Sequence, residues 1–307
     1  SGDGAAEYLR GMIAGAQPKV GRMNLAYFSD RRGRILTEMS VMRHSEDFFT
    51  LITAATAQWH DRDVLAKNLP SGLKLTDRSS EYSTLIVTGP KSRALLEQIG
   101  AEADLTASWL SIQSAIVAGK DCALARVSFA GELGWEIHSA NANMPALYNA
   151  VLAAGAVPFG MFALNSMRME KGYRSWKGDL STDYTLLEGG VERFIRFDKP
   201  QDFPGKAALL SEKQQGSKKG FATLVVDAGH ADAPYMSTIW HGDEVVGETT
   251  SGDWGYRINK SIALAIIRAD LLDAGTELEV EIYGERRRAV VQEDKPLWDP
   301  ENARIRA

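Results

Sequence analysis

Several features are scarce or absent in this 307-residue sequence. It holds one cysteine, Cys122, so it cannot form a disulfide within one chain. Cys122 lies in an apolar, strand-like run over residues 118–127, where we expect a buried thiol without a redox role. No stretch approaches the ~20 apolar residues that span a bilayer, and residues 1–4 lack the basic and apolar regions of a signal peptide. These absences favour a reducing compartment, the cytoplasm or, in a eukaryote, the mitochondrial matrix, with no membrane partner.

Basic charge is not in excess either. The formal net charge is −5, and 24% of the residues are charged. Nucleic-acid binding needs clustered Lys and Arg to neutralise phosphates, so we expect no nucleic-acid partner. The one basic run, residues 286–288, follows a predicted hairpin turn at residues 283–285, and a solvated loop explains it better than an anion site.

The sequence also lacks the common cofactor and nucleophile motifs. Residues 2–7 contain two glycines but neither the third glycine nor the preceding strand of a dinucleotide-binding loop, so this chain is not expected to hold FAD or NAD by itself. The five histidines are scattered, and the segment His60-Asp61-Arg62-Asp63 fits no zinc spacing, so we predict no metal site. No serine lies in a Gly-x-Ser-x-Gly turn, and hydrolysis by a catalytic triad is unsupported.

What is present is a mixed pattern of strands and helices. Residues 4–13 carry helical periodicity. Strand patterns occur at 39–42, 48–53 and 84–88, and helical patterns at 92–99 and 144–154. Because there is no regular βαβ alternation, the pattern favours an α+β fold over a doubly wound sheet.

The last third of the sequence differs from the rest. Residues 211–220 are polar, charged and flanked by glycine, and we interpret them as a linker. Short β-rich runs follow at 222–226, 244–246, 262–267 and 278–282, which predict a small all-β barrel or sandwich. The expected domains are therefore residues 1–210 and 221–307.

Two segments, residues 129–137 and 165–179, concentrate carboxylates, aromatics and glycines. In a strand, Glu132 and Glu136 would share one face, and a carboxylate there can accept two hydrogen bonds from a pterin edge or bridge a turn. In the second segment Arg168 and Glu170 can form an internal ion pair, and Tyr173 and Trp176 can be core aromatics. Composition alone leaves these alternatives open.

At the level of ordered motifs, the sequence resembles the folate-binding domain shared by the glycine-cleavage aminomethyltransferase and the C-terminal halves of dimethylglycine and sarcosine dehydrogenases. Six anchors carry the resemblance, at residues 18–22, 33–38, 131–136, 168–176, 187–190 and 246–252. The Glu-Lys-Gly-Tyr-Arg-x-Trp and Thr-Thr-Ser-Gly forms look more like the dehydrogenase branch. The resemblance implies an aminomethyltransferase-like folate-binding domain followed by a small β-barrel.

The same resemblance implies a set of site residues. Glu38 takes the catalytic position near the folate N10, where the family usually has Asp. Glu136 would bind the pterin edge and Arg168 would lie near the folate. Trp176 would stand where the transferase has tyrosine. The remaining folate-binding candidates are Tyr27 and Phe129, and at Phe129 a common tyrosine hydroxyl is lost.

The function implied is tetrahydrofolate-dependent capture of a one-carbon unit, an iminium or formaldehyde from a dimethylglycine- or sarcosine-type amine, to form 5,10-methylenetetrahydrofolate. Alternatives are a free-standing folate-dependent aminomethyl- or methyltransferase and a relative that has lost its chemistry. FAD is expected only in a preceding portion or a flavin-containing partner. The abrupt start, without the domain's opening strand, leads us to expect a fragment of a longer chain.

Overall fold

The first part of the chain forms a three-stranded antiparallel sheet beside two helices. The computed structural model describes residues 1–307. Helix α1 (Ala5–Met12) precedes strands β1 (Arg22–Ser29), β2 (Ile35–Ser45) and β3 (Phe48–Ile52), and helix α2 (Gln58–Ala66) follows them. Leu9 of α1 and Leu65 of α2 pack against Phe28 and Met39, so apolar side chains of the helices cover one face of β1 and β2.

A four-stranded antiparallel sheet follows. Its strands are β4 (Tyr82–Thr88), β5 (Ile112–Val117), β6 (Lys120–Ala125) and β7 (Gly134–Ala140), in the order β4-β7-β6-β5. Helices α3 (Ser92–Gln98) and α4 (Met144–Ala153) bury Leu96 and Leu147 against Trp135 and Ile137 of β7. Side chains alternate between the two faces of a strand, so Glu136 and His138 belong to the opposite face of this sheet.

The two sheets pack with these other faces toward each other. Met23 and Met42 of the first sheet form one buried cluster with Ile112 and Ala125 of the second. Directly paired residues of an antiparallel sheet share a face, so these contacts identify the inner face of each sheet. We call the space between the inner faces the intersheet cleft.

A long connection borders the cleft. Helix α5 (Met161–Met169) ends at the start of a largely irregular segment, residues 170–205, and helix α6 (Lys206–Gln215) follows. Leu180, Leu186 and Val191 of this segment are buried in one cluster with Tyr27 and Ile35 of the first sheet. The connection therefore packs on the end of the first sheet that holds Tyr27.

The last third of the chain forms a closed six-stranded antiparallel barrel. Its strands are β8 (Lys219–Val226), β9 (Thr238–His241), β10 (Glu244–Gly255), β11 (Lys260–Arg268), β12 (Glu277–Ile282) and β13 (Glu285–Val291), closed in the order β10-β11-β8-β13-β12-β9. Aliphatic side chains fill its interior, and the short helix α7 (Ala303–Arg306) lies near the end of the chain. The predicted α+β class and the predicted C-terminal barrel are confirmed.

Residues 211–220 hold regular structure at both ends. Helix α6 continues to Gln215 and β8 begins at Lys219, so only residues 216–218 lie between them. The domain boundaries at 210 and 221 stay predictions.

The basic run at residues 286–288 was predicted as a solvated loop, and this is wrong. The hairpin turn itself is confirmed, because Tyr283 and Gly284 both have positive φ angles, 50° and 88°. The arginines lie on β13, where cross-strand carboxylates are within reach. Arg286 is 3.7 Å from Glu279 across the β12–β13 pair.

Candidate functional site

Glu38 and Tyr27 form the centre of the site on the first sheet. They pair directly across β1 and β2, so both side chains share the inner face. Tyr27 is buried, and its ring centroid lies 5.3 Å from that of Phe194. Glu38 is largely enclosed by protein but keeps part of its surface accessible.

The ionisation of Glu38 is strongly perturbed. Burial raises its pKa to about 7, although the Tyr27 hydroxyl and the Arg174 guanidinium lower it; the Asp179 carboxylate raises it further. Burial, followed by the charge of Glu38, also holds the pKa of Tyr27 well above its usual value. Glu38 can therefore exchange a proton near neutral pH, while Tyr27 stays a neutral phenol.

Glu136 lies on the inner face of the second sheet. It pairs with Ile86 of β4 and Ala125 of β6, and Ala125 contributes to the cluster that joins the two inner faces. Its Oε2 lies 3.1 Å from Nε2 of His138, and its side chain is 21% exposed. The structure thus places Glu38 and Glu136 on opposing faces of the same cleft.

Glu132 does not share this face. It precedes β7 in a turn in which Gly131 has a φ angle of +72°. From there its carboxylate reaches Arg257 of the barrel at 3.2 Å, away from Glu136. The shared-face alternative for Glu132 and Glu136 is therefore wrong, because the strand begins only at Gly134.

Trp176 and Arg174 reach the site from the connection after α5. Trp176 packs against the cluster that contains Tyr27, and its buried Nε1 has no hydrogen-bond partner. The buried Arg174 guanidinium lies 3.7 Å from the ring centroid of Phe221, which joins the same cluster. Arg174 donates from Nε to the Gly189 carbonyl at 2.8 Å, but its Nη2 has no partner.

These free donors matter because buried polar groups are nearly always hydrogen-bonded. Burial also lowers the pKa of Arg174, which indicates how fully its charge is removed from water. The unpartnered donors of Trp176 and Arg174 are exceptions to this rule, and both atoms are enclosed by protein.

Arg168 has no donor left for a ligand. Its guanidinium bonds Asn165, the Tyr173 carbonyl, Asp179 at 2.5 Å and Ser251 of the barrel at 2.7 Å. All five N–H groups of the guanidinium are thereby used. Arg168 braces the connection against the barrel.

Asp179 is the other half of this brace, and the sequence reasoning did not single it out. Its buried carboxylate accepts hydrogen bonds from Arg168, from the backbone N–H of Ser175 at 2.8 Å and from Thr250 of the barrel at 2.6 Å. The only sequence signal was its place in the dense segment at residues 165–179. Its partner Thr250 is far away in sequence.

Glu170 and Lys171 make a second junction, so the predicted alternative of an Arg168–Glu170 ion pair is wrong. Buried Glu170 bonds the side chain and the backbone N–H of Arg257 in the barrel. Buried Lys171 donates to the carbonyls of Trp298 and Asp299. The residues after β13 are thus fastened to the end of α5.

The remaining aromatic candidate, Phe129, stacks on a protein ring. Its centroid lies 5.8 Å from that of Tyr173, with 18° between the ring planes. Tyr173 and Trp176 both lie beyond α5 and do not share a helix face, but Trp176 does pack against the core cluster that contains Tyr27. One face of Phe129 is occupied within the protein.

Metal and membrane features are limited. No group of three or more His, Cys, Asp and Glu side chains is arranged to hold a metal ion. His60 contacts the buried Asp61 at 2.9 Å. None of the helices has the length and apolar character needed to cross a bilayer.

The fold consists of two facing antiparallel sheets, a bordering connection and a closed barrel. Two carboxylates lie on the opposing inner faces of the sheets, and together these features define the class of protein. Comparison with protein families identifies it. The GCVT N-terminal domain matches residues 1–199, and the glycine cleavage T-protein C-terminal barrel domain matches residues 219–299. The chain belongs to the folate-binding aminomethyltransferase family, also called the glycine cleavage T-protein family.

Individual relatives include both a dehydrogenase and an aminomethyltransferase. The chain is 32% identical over 314 residues to the mitochondrial dimethylglycine dehydrogenase of Mus musculus, covering 99% of this chain and 36% of that protein. It is 28% identical over 276 residues to an aminomethyltransferase of Listeria monocytogenes, covering 89% of this chain and 75% of that protein. The chain thus spans about a third of the length of the dehydrogenase.

A solved structure agrees in fold. The glycine cleavage system aminomethyltransferase T from Bartonella henselae superimposes with a TM-score of 0.88 at 22% identity, over 97% of this chain and 82% of that one. This likeness confirms the predicted aminomethyltransferase-like fold.

Proposed function

We propose that this chain binds tetrahydrofolate in the intersheet cleft and uses it to capture a one-carbon unit as 5,10-methylenetetrahydrofolate. The observation that carries the proposal is Glu38, a carboxylate with a pKa of about 7 on the inner face opposite Glu136. Family membership and the likeness to dimethylglycine dehydrogenase support this choice of ligand and reaction.

Glu136 is the residue proposed to recognise the pterin. A pterin presents N3–H and a 2-amino group side by side, and a carboxylate can accept both hydrogen bonds at once. Glu136 has the required carboxylate, and its Oε1 makes no hydrogen bond within the protein. Its neighbour on β6, Ala125, has a small side chain.

The wall of the proposed site is aromatic and cationic. Trp176 packs against the cluster that contains Tyr27, and the guanidinium of Arg174 contributes positive charge nearby. In this proposal Phe129 contacts the folate only through the ring face that does not stack on Tyr173. Arg168 serves the site indirectly, by holding the connection that carries Arg174 and Trp176.

Glu38 is proposed to handle the proton. When formaldehyde is the carbon source, N5 and N10 of the folate each bond to the carbon, and the oxygen leaves as water with the two hydrogens those nitrogens lose. While ionised, Glu38 stabilises the positive charge that develops on an attacking nitrogen, and it becomes neutral when it accepts the proton that this nitrogen loses. A positioned acid or base of this kind contributes on the order of 100-fold or more.

The carbon is proposed to arrive from oxidation of a dimethylglycine- or sarcosine-type amine. That oxidation needs an electron acceptor, which we assign to a flavin in a separate portion or partner of the protein. The mitochondrial sarcosine dehydrogenase of Mus musculus is also 31% identical over 84% of this chain, and the match covers 30% of that protein. In this arrangement the chain receives the carbon and does not release it from the amine.

Calorimetric titration with tetrahydrofolate under anaerobic conditions tests the site. The wild-type chain should bind, and Glu136→Ala should weaken binding on the order of tenfold or more. Glu97→Ala is the matched control, because Glu97 is an exposed carboxylate of α3, on the other side of the same sheet. No binding by the wild type, or equal binding by Glu136→Ala, would refute the assignment.

A second candidate is a free-standing folate-dependent aminomethyl- or methyltransferase. It is favoured by the match to the Listeria aminomethyltransferase, which covers 75% of that protein. Methylene formation from an oxidised amine supports the first candidate, whereas transfer from a carrier-bound aminomethyl group supports the second. Binding without either transfer points to a relative that has lost its chemistry.

A further inference from the structure

Glu136 is held by a hydrogen-bonded chain across the second sheet. His138 lies two residues along β7, on the same face, and its Nε2 is 3.1 Å from Oε2 of Glu136. On its other side, Nδ1 of His138 is 2.8 Å from Oγ1 of Thr84, the residue that pairs with it on β4. This Thr84–His138–Glu136 relay is unconnected to Glu38 or the brace at Asp179.

The chemistry of the relay fixes the tautomer of the histidine. An ionised carboxylate can only accept hydrogen bonds, so Nε2 must carry the proton that is donated to Glu136. Nδ1 of the neutral ring is then an acceptor, and the Thr84 hydroxyl donates to it. The ring orientation is set at both ends.

The surroundings of Glu136 make this bond its only anchor. Its direct neighbours are Ile86 on β4 and Ala125 on β6, and neither has a polar side chain. A glutamate side chain has several rotatable bonds, and fixing it when a ligand arrives costs conformational entropy. With His138 in place, much of this ordering precedes binding, and Oε1 stays free.

We propose that His138, oriented by Thr84, is a positioning residue that aligns the Glu136 carboxylate for the N3–H and 2-amino edge of a pterin. This inference rests on the proposed function of Glu136 and adds a role for a residue that does not itself touch the ligand. Oε2 retains a lone pair for the pterin while it accepts from His138, because a carboxylate oxygen offers two acceptor sites.

The test compares two ligands by calorimetry with the full chain. Tetrahydrofolate carries the 2-amino group, whereas 2-desamino-2-methyltetrahydrofolate does not. His138→Ala should weaken tetrahydrofolate binding on the order of tenfold, the lower end of what orienting partners contribute at metal sites. The same variant should bind the methyl analogue within about twofold of the wild type, because the contact it aligns is absent.

Three further variants refine the test. His138→Gln should recover part of the affinity, since its amide can donate to Glu136, and Thr84→Val should show a smaller loss than His138→Ala. His230→Ala is the control, because His230 is an exposed residue between β8 and β9 of the barrel. If His138→Ala does not fold, Thr84→Val carries the comparison of the two ligands.

The outcomes separate the two proposals. If Glu136→Ala loses affinity while His138→Ala binds tetrahydrofolate like the wild type, the positioning role is overturned and the folate site stands. Equal losses for both ligands would likewise overturn it, because they indicate a general structural effect. If Glu136→Ala binds like the wild type, the proposed function itself fails.

Discussion

Tyr27 and Glu38 occupy directly paired positions on β1 and β2, with both side chains on the inner face. Each shifts the ionisation of the other: the phenol favours the charged carboxylate, and the carboxylate disfavours ionisation of the phenol. Burial raises the pKa of Glu38 more than the phenol lowers it, so the pKa of Glu38 is about 7. The pair can thus present either a proton or a negative charge to the cleft at neutral pH.

The buried Glu38 carboxylate should destabilise the protein above neutral pH. Its folded pKa lies above its unfolded value of 4.5, so the folded state binds the proton more tightly, and stability falls as pH rises from 4.5 through 7. Glu38→Gln mimics the protonated form and should be more stable than wild type by roughly 3 kcal/mol at pH 8. Urea denaturation at pH 5 and pH 8 measures this. A gain that does not increase with pH would contradict the raised pKa.

The same substitution should damage turnover more than binding. Glu38→Gln removes the proton acceptor but keeps the size of the side chain, so kcat for 5,10-methylenetetrahydrofolate formation should fall on the order of 100-fold. The Kd for tetrahydrofolate should change far less, since Glu136 is untouched. Steady-state kinetics with formaldehyde as the carbon source give kcat, and titration with tetrahydrofolate gives Kd. Equal losses in kcat and affinity would assign Glu38 to binding instead.

Removing the charge of Asp179 should weaken the whole brace. Asp179→Asn leaves the buried guanidinium of Arg168 without its ionised partner, and breaking a buried pair in this way costs about 3–5 kcal/mol. Chemical denaturation measures the loss, with exposed Asp183→Asn as the control. The pKa of Glu38 should also fall, because the Asp179 charge raises it in the wild type. An unchanged unfolding free energy would show that Arg168 does not depend on this carboxylate.

Gly252 of β10 should tolerate no side chain. A Cβ at this position would lie 1.9 Å from the Ala233 carbonyl oxygen, so Gly252→Ala must displace the backbone. We expect a loss of about 3 kcal/mol or more in unfolding free energy. Gly160→Ala is the control, because its Cβ would meet nothing within 4 Å and its φ angle is −100°. Comparable melting temperatures for the two variants would refute the steric argument.

Cys122 should react slowly with thiol reagents. Burial, assisted by the neighbouring Asp121 charge, raises its pKa to about 11. The thiolate is the reactive form, so iodoacetamide at pH 7.5 should alkylate it on the order of 100-fold more slowly than a free cysteine. Mass spectrometry follows the reaction, and rapid modification of the native protein would contradict the raised pKa.

The strands and helices were largely visible in the sequence. The predicted helical segment at 144–154 is α4, and the β-rich runs from 222 onwards all lie in strands of the barrel. These elements follow from periodicity and turn residues, which act over a few positions. The arginine run at 286–288 was misread because its strand is exposed and charged, so apolar alternation is weak there.

The site was only partly accessible from the sequence. The motif resemblance placed Glu38 and Glu136, and their roles stay proposals. His138 gave no signal, because its partners are a threonine on another strand and a glutamate two residues away. Arg168 was expected near the folate, but whether its donors meet a ligand or protein groups depends on Asp179 and Ser251.

By itself the sequence determined the α+β class, the barrel and the family, because local periodicity and ordered motifs are written along the chain. Tertiary structure decided which charged side chains lie on the inner faces of the cleft and which bond other parts of the protein. Arg168, Glu170 and Lys171 lie close together in sequence, yet their partners differ. Arg168 bonds the dense segment and the barrel, Glu170 bonds the barrel, and Lys171 bonds the last residues. The physical reason is that a buried charge is defined by its partners in space, and these lie up to 131 residues away.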